Sequence, residues 1–221
     1  MQYKGIIFDL DGVICHTDKY HYMAWKQIAD EIGVHFDEAI NDRLRGVSRM
    51  ESLEIILEQY QGNMTEEEKQ KLSEKKNNIY RNLLCQMSPK DVSEEVAETL
   101  NELKRRNIGI AIGSSSKNAR FILEKIGLLE IFDAISDGNN ISRSKPAPEV
   151  FLKAAEYLGY KPGQCLVVED ARSGIDAAIA GGFSCAGLGD AAAYEKTDYP
   201  IHKFSDIFSL VADGNWQESG F

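Results

Sequence analysis

The chain has 221 residues, 43% hydrophobic and 27% charged, enough for a full apolar core and ordinary for a globular enzyme. Its formal net charge of −10 argues against nucleic acid as a partner, because phosphates would be repelled. A small anionic substrate then requires local cations or a metal to overcome the global field. No apolar run approaches the roughly 20 residues of a membrane span, and the N-terminus enters a strand directly, without the layout of a signal peptide. Cys15, Cys85, Cys165 and Cys185 are scattered with no CxxC spacing, so reduced thiols and a cytoplasmic setting are expected. A monomer is the default expectation.

The first element is the apolar run Gly5-Ile6-Ile7-Phe8, which reads as a buried strand and leads into Asp9-Leu10-Asp11-Gly12. Trp25, Ile28, Ala29 and Ile32 recur at helical spacing over 18–32. From 36 to 87 the pattern stays helical and charged, and Thr65 with Glu68 forms a capping-box signal for its last long helix. Beyond Ser88-Pro89 the pattern alternates. A helix near 92–106 precedes an apolar strand over 108–112, and a helix from 117 precedes a strand over 132–135. A helix with Pro146-Ala147-Pro148 in its first turn precedes Leu166-Val167-Val168. A helix over 171–181 precedes a strand over 184–188. This predicts an α/β fold, a doubly wound parallel sheet with helices on both faces. The helical block interrupts the alternation after the first strand, so residues 18–87 are predicted as an inserted α-helical cap, and 1–17 with 88–221 as the core.

Four strand ends carry the candidate chemistry. Asp9 and Asp11, two apart on extended chain, should project to one side at the carboxyl end of the first strand, where open α/β sheets place their sites. Ser114-Ser115-Ser116-Lys117-Asn118 combines hydroxyls, backbone N–H groups and a helix start, a phosphate site unless Ser116 merely caps the helix. Lys145 stands at a loop-to-helix junction. Glu169 and Asp170 end an apolar strand, and with Asp9 they make an oxygen-rich set suited to Mg²⁺.

An acidic pair, a hydroxyl, a lysine and a second acidic pair, in that order after successive strands, resemble the haloacid dehalogenase-like superfamily of phosphotransferases, with its Rossmann-like core. The resemblance implies that Asp9 is a nucleophile forming an aspartyl-phosphate and Asp11 the general acid–base. It implies Mg²⁺ held by the Asp9 carboxylate, the Asp11 backbone carbonyl and Asp170, with Glu169 in or beside the shell. Ser114 and Lys145 would bind the transferring phosphoryl group.

The predicted cap narrows the resemblance. Arg49, Leu53, Ile56 and Tyr60 share one helical stripe, Leu72, Lys76, Ile79 and Leu83 another, and His21 extends the Trp25 face. Residues 17–26, Gly46-Val47-Ser48-Arg49, Lys75-Lys76-Asn77 and 114–118 together look like the β-phosphoglucomutase family. That resemblance implies interconversion of β-D-glucose 1-phosphate and D-glucose 6-phosphate through β-glucose 1,6-bisphosphate. It implies Arg49, Ser116 and Asn118 on the unreactive phosphate, Lys117 adding charge, and His21 and Lys76 engaging the sugar. Thr17, Trp25, Gly46, Val47, Ser48, Ser52 and Ser115 complete the implied substrate site. A sugar-phosphate phosphatase of the same superfamily shares every core motif, and a noncatalytic binding protein would not need both Asp9 and Asp11. His16 and Ser115 depart from the family pattern, which frequently has Asp and Ala there.

Overall fold

The computed structural model describes residues 3–44 and 47–211. Six parallel strands form one sheet: β1 (Gly5–Phe8), β2 (Gly109–Gly113), β3 (Ala134–Ser136), β4 (Cys165–Glu169), β5 (Ser184–Gly187) and β6 (Tyr199–Pro200). Their order is β3-β2-β1-β4-β5-β6. The first strand is therefore central, with Ile7 paired to Ala111 on one side and to Val167 on the other. Parallel strands covered on both faces should be continuously apolar, and β1, β2 and β4 are buried almost throughout.

Side chains alternate between the two faces of the sheet. Ile6, Phe8, Ile110, Ile112, Leu166 and Val168 pack with α5 (Glu94–Arg105) and α6 (Ala119–Lys125). Ile7, Ala111 and Val167 pack with α7 (Glu149–Leu158) and α8 (Arg172–Ala180) on the opposite face. The sheet is thus doubly wound. Beyond β6, Phe204 and Ile207 are buried on the first face, and Phe204 stacks on Phe8 at 5.3 Å between ring centroids.

Among the described residues, four α-helices lie between β1 and α5: α1 (Asp18–Glu31), α2 (Glu38–Asp42), α3 (Arg49–Leu57) and α4 (Glu66–Leu84). These helices form a helical insertion after the first strand, where the sequence pattern placed one. Its own apolar cluster contains Trp25, Ile28, Phe36, Leu53 and Ile56. Its base is different: Tyr20, Ala24, Tyr80, Leu84 and Met87 belong to the core of the sheet. Both Thr65 and Ser48 start helices with complete capping boxes.

Several expectations need correction. The stripe along α4 is rotated by one position, with Ser73, Lys76, Tyr80 and Leu84 buried. Leu72, Ile79 and Leu83 flank it, half-buried against the two apolar clusters. Pro146 and Pro148 precede α7, with Pro148 as its N-cap and a cis Lys145–Pro146 bond before it. Lys117 lies in the turn ahead of α6, which begins at Ala119. The two-residue strand β6 was not anticipated, being too short for any period to register.

Candidate active site

The carboxyl ends of β1, β2 and β4 open into a cavity of about 410 Å³ beneath the helical insertion. Strand β1 ends at Phe8, and the Asp9 N–H still pairs with the Val168 carbonyl at 2.9 Å. Asp9 therefore leaves the sheet at its centre, 7% exposed. Asp9, Glu169 and Asp170 each offer a carboxylate oxygen, and the three atoms lie within 4.8 Å of one another. Lys145 Nζ donates to Asp9 Oδ1 and, at 2.5 Å, to Glu169 Oε1. The second Glu169 oxygen accepts from the N–H groups of Asp170 and Ala171, both at 3.0 Å. Burial, reinforced by the charges of Glu169 and Asp170, holds the Asp9 carboxyl well above its ordinary range, while Lys145 opposes the shift. Burial alone would depress Lys145, but the Asp9 and Glu169 carboxylates overcome it and raise its pKa.

Two glycines shape this cluster. A Cβ on Gly12, whose φ is +86°, would sit 2.1 Å from Asp170 Oδ2, so the turn after Asp11 excludes any side chain. A Cβ on Gly174 would sit 1.9 Å from the Glu169 carboxyl group.

Asp11 is placed differently from Asp9. It lies in the turn beyond the strand, and its carboxylate lies outside the three-acid cluster. The Thr17 N–H donates to Asp11 Oδ1 at 2.8 Å, and the Thr17 hydroxyl donates to Oδ2. Thr17 in turn accepts from the Tyr80 hydroxyl at 2.9 Å. Burial, followed by the charge of Asp18, raises the Asp11 pKa, and the Thr17 hydrogen bonds pull against it. The two Thr17 hydrogen bonds hold the Asp11 carboxyl in one orientation. Thr17, expected on the substrate, is fully buried and not among the residues lining the cavity, and its hydrogen bonds go to the Asp11 carboxylate.

The insertion supplies the roof. Lys76, 2% exposed, places Nζ 2.9 Å from His21 Nδ1 and 4.9 Å from the Trp25 ring centroid. The other ring nitrogen of His21, Nε2, lies 3.8 Å from Asp11 Oδ2. Burial, with the Arg49 charge adding to it, pushes Lys76 well below the usual lysine value. Burial and the charges of Lys76 and Arg49 lower His21 likewise. Arg49 is half-buried in the cavity wall and makes no ion pair with any described residue.

Val47, Ser48 and Ser52 line the same cavity, although the Ser48 hydroxyl already accepts the Glu51 N–H at 3.3 Å. Gly46 lies outside the described residues. From the core come Ser114, Ser115, Ser116, Lys117 and Asn118. Ser114 accepts the Ser116 N–H and Ser116 the Asn118 N–H, each at 3.2 Å, which folds the segment into a compact turn. Ser115 accepts the Lys145 N–H at 3.4 Å. The Asn118 side chain is held from above: it donates to Asn77 at 2.9 Å and accepts from Arg81 at 3.1 Å.

Sequence reasoning missed Ser73, Tyr80, Arg81 and Gly174. Tyr80 falls on the same helical face as Lys76, a signal obscured by choosing the apolar stripe beside it. Arg81 reaches Asn118, 37 positions away.

Three clustered carboxylates, a buried lysine and a serine turn meet at the carboxyl edge of a doubly wound sheet, where open α/β folds place their chemistry. The chain is an enzyme of the haloacid dehalogenase-like hydrolase family, whose sequence profile matches residues 3–182. It is similar to a β-phosphoglucomutase of Bacillus subtilis, with 38% identity over 97% of this chain and 96% of that protein. It is also 32% identical to the fructose-1-phosphate phosphatase YqaB of Escherichia coli, over 82% of this chain and 94% of the relative. A crystal structure of β-phosphoglucomutase from Clostridium difficile superposes with a TM-score of 0.88 at 37% identity, covering 93% of each chain.

Proposed function

We propose that this enzyme interconverts β-D-glucose 1-phosphate and D-glucose 6-phosphate through β-glucose 1,6-bisphosphate, with residues 18–87 acting as the cap. The observation that carries the reading is Arg49, a half-buried guanidinium in the cavity wall that feels the Glu74 charge but closes no salt bridge among the described residues. A mutase must hold a bisphosphate at both ends and in either orientation. It therefore needs a second anion site, and Arg49 with Ser116, Lys117 and Asn118 supplies one of suitable chemistry.

The donor set of Asp9, Glu169 and Asp170 is all oxygen and anionic, which fits a hard divalent cation such as Mg²⁺. Bound there with the Asp11 carbonyl, such an ion would neutralise charge on the phosphoryl oxygens. In the first half-reaction an Asp9 oxygen attacks phosphorus and the bond to the leaving sugar oxygen breaks. Asp11, in its acid form, gives that oxygen a proton. In the second half Asp11 takes the proton from a sugar hydroxyl, that oxygen attacks phosphorus, and the Asp9–phosphorus bond breaks. Lys145 and Ser114 hold the transferring phosphoryl group, and His21 and Lys76 couple the sugar to Asp11. Trp25, Val47, Ser48 and Ser52 enclose the ring and limit water.

A phosphatase acting on sugar phosphates is the second reading, favoured by the likeness to the fructose-1-phosphate phosphatase. The test is a product assay with β-glucose 1-phosphate, Mg²⁺ and a bisphosphate primer. Glucose 6-phosphate as main product is expected; inorganic phosphate as main product refutes the mutase.

A further inference from the structure

Helix α4 meets the cavity along Ser73, Lys76, Asn77 and Tyr80. Three of these side chains are engaged: Lys76 with His21, Asn77 with Asn118, and Tyr80 with Thr17. Ser73 is the exception. It is only 3% exposed, yet its hydroxyl makes no hydrogen bond among the described residues. A serine inside a helix ordinarily returns its hydroxyl to the carbonyl four residues back, or points to bulk water. Here it does neither. Its Oγ is also absent from the fully enclosed polar atoms lacking a partner, so it keeps accessible surface on the cavity that Ser73 lines.

The arrangement is costly without a ligand. Alanine is the better helix former and would remove an unsatisfied group from a nearly closed position. Ser52 on α3 repeats the pattern, 4% exposed on the same cavity with no bond from its hydroxyl. Cations nearby, Lys76 and Arg49, suit phosphate, whereas a neutral hydroxyl that both donates and accepts matches another hydroxyl.

We propose that Ser73 is a specificity-determining residue that hydrogen-bonds one ring hydroxyl of the sugar phosphate. The assignment rests on the sugar-phosphate reading of the site but not on whether a sugar hydroxyl or water completes the reaction. A site built to bond a substrate hydroxyl discriminates against the analogue lacking it, because the protein group is then left unpaired.

The experiment compares wild type with Ser73→Ala on β-glucose 1-phosphate and its 2-, 3- and 4-deoxy analogues. Loss of the hexose 1-phosphate is followed with Mg²⁺ and bisphosphate primer, since mutase and phosphatase chemistry both consume it. Expected is a fall in kcat/KM of about tenfold or more for one deoxy analogue with wild type. Ser73→Ala should lose a similar factor on the parent sugar and no longer distinguish that analogue. Thermal unfolding should be nearly unchanged; Ser73→Cys serves if the alanine variant folds poorly. Unaltered discrimination at all three positions in either folded variant overturns the assignment while leaving the sugar-phosphate reading intact. Failure of the wild type to consume any hexose phosphate overturns both.

Discussion

Replacing Lys145 by methionine should destabilise the enzyme in a pH-dependent way. The stem would keep its place near Phe151, whose ring centroid lies 4.8 Å from Nζ, while the ammonium shared by Asp9 and Glu169 would be lost. At the 2.5 Å separation from Glu169, one such attraction is about 7 kcal/mol at an effective dielectric constant near 20. Desolvation offsets part of that, so removing one partner of a buried pair costs about 3–5 kcal/mol. For a chain of this size that lowers Tm by about 6–20 °C. The sign of the pH effect follows from the carboxylates. Asp9 already titrates above its ordinary value through burial and its acidic neighbours, and only Lys145 works against that. A group with a raised folded pKa opposes folding above its unfolded value, near 3.9 for Asp, and ceases to do so as pH falls below it. Lys145 itself, raised by its partners, contributes fully below about pH 10.4 and changes little between pH 5 and 8. The Tm deficit of Lys145→Met in chelator should therefore be large at pH 8 and shrink toward pH 5. Circular dichroism melts of both proteins at the two pH values measure it. A deficit equal at both, or none, refutes the electrostatic account.

Asp11→Ala should lower kcat by about 10²–10⁴. Because its carboxylate stands outside the acidic cluster, calorimetric titration with Mg²⁺ should show affinity nearly retained. Gly174→Ala should cost about 1–3 kcal/mol and weaken Mg²⁺ binding, since its Cβ would meet the Glu169 carboxyl at 1.9 Å. Gly163→Ala, with open space around the added carbon, is the control expected to leave both unchanged.

The sheet was legible in the sequence because parallel strands buried on both faces are short apolar runs, and the polar residues ending them stand out. Asp9, Glu169 and the serine turn were visible for that reason. The relation between Asp9 and Asp11 was not, because alternation applies only while the chain stays extended, and β1 stops at Phe8. The support of Asp11 was also hidden: Tyr80 reaches Thr17 from 63 positions away. On α4 the apolar residues marked the edges of the buried face, since they pack into two different clusters. The polar residues between them face the cavity.

The insertion leaves the chain at the middle strand of the sheet and returns at α5, having contributed no strand to the ladder. Inheritance can therefore act on two nearly separate texts. Substitutions among the helices rewrite what the roof admits, while hydrogen bonding between strands, and with it the placement of the clustered acids, is left undisturbed. The base of the roof is the exception: Tyr80 and Leu84 are shared with the main core, and drift there alters both halves at once.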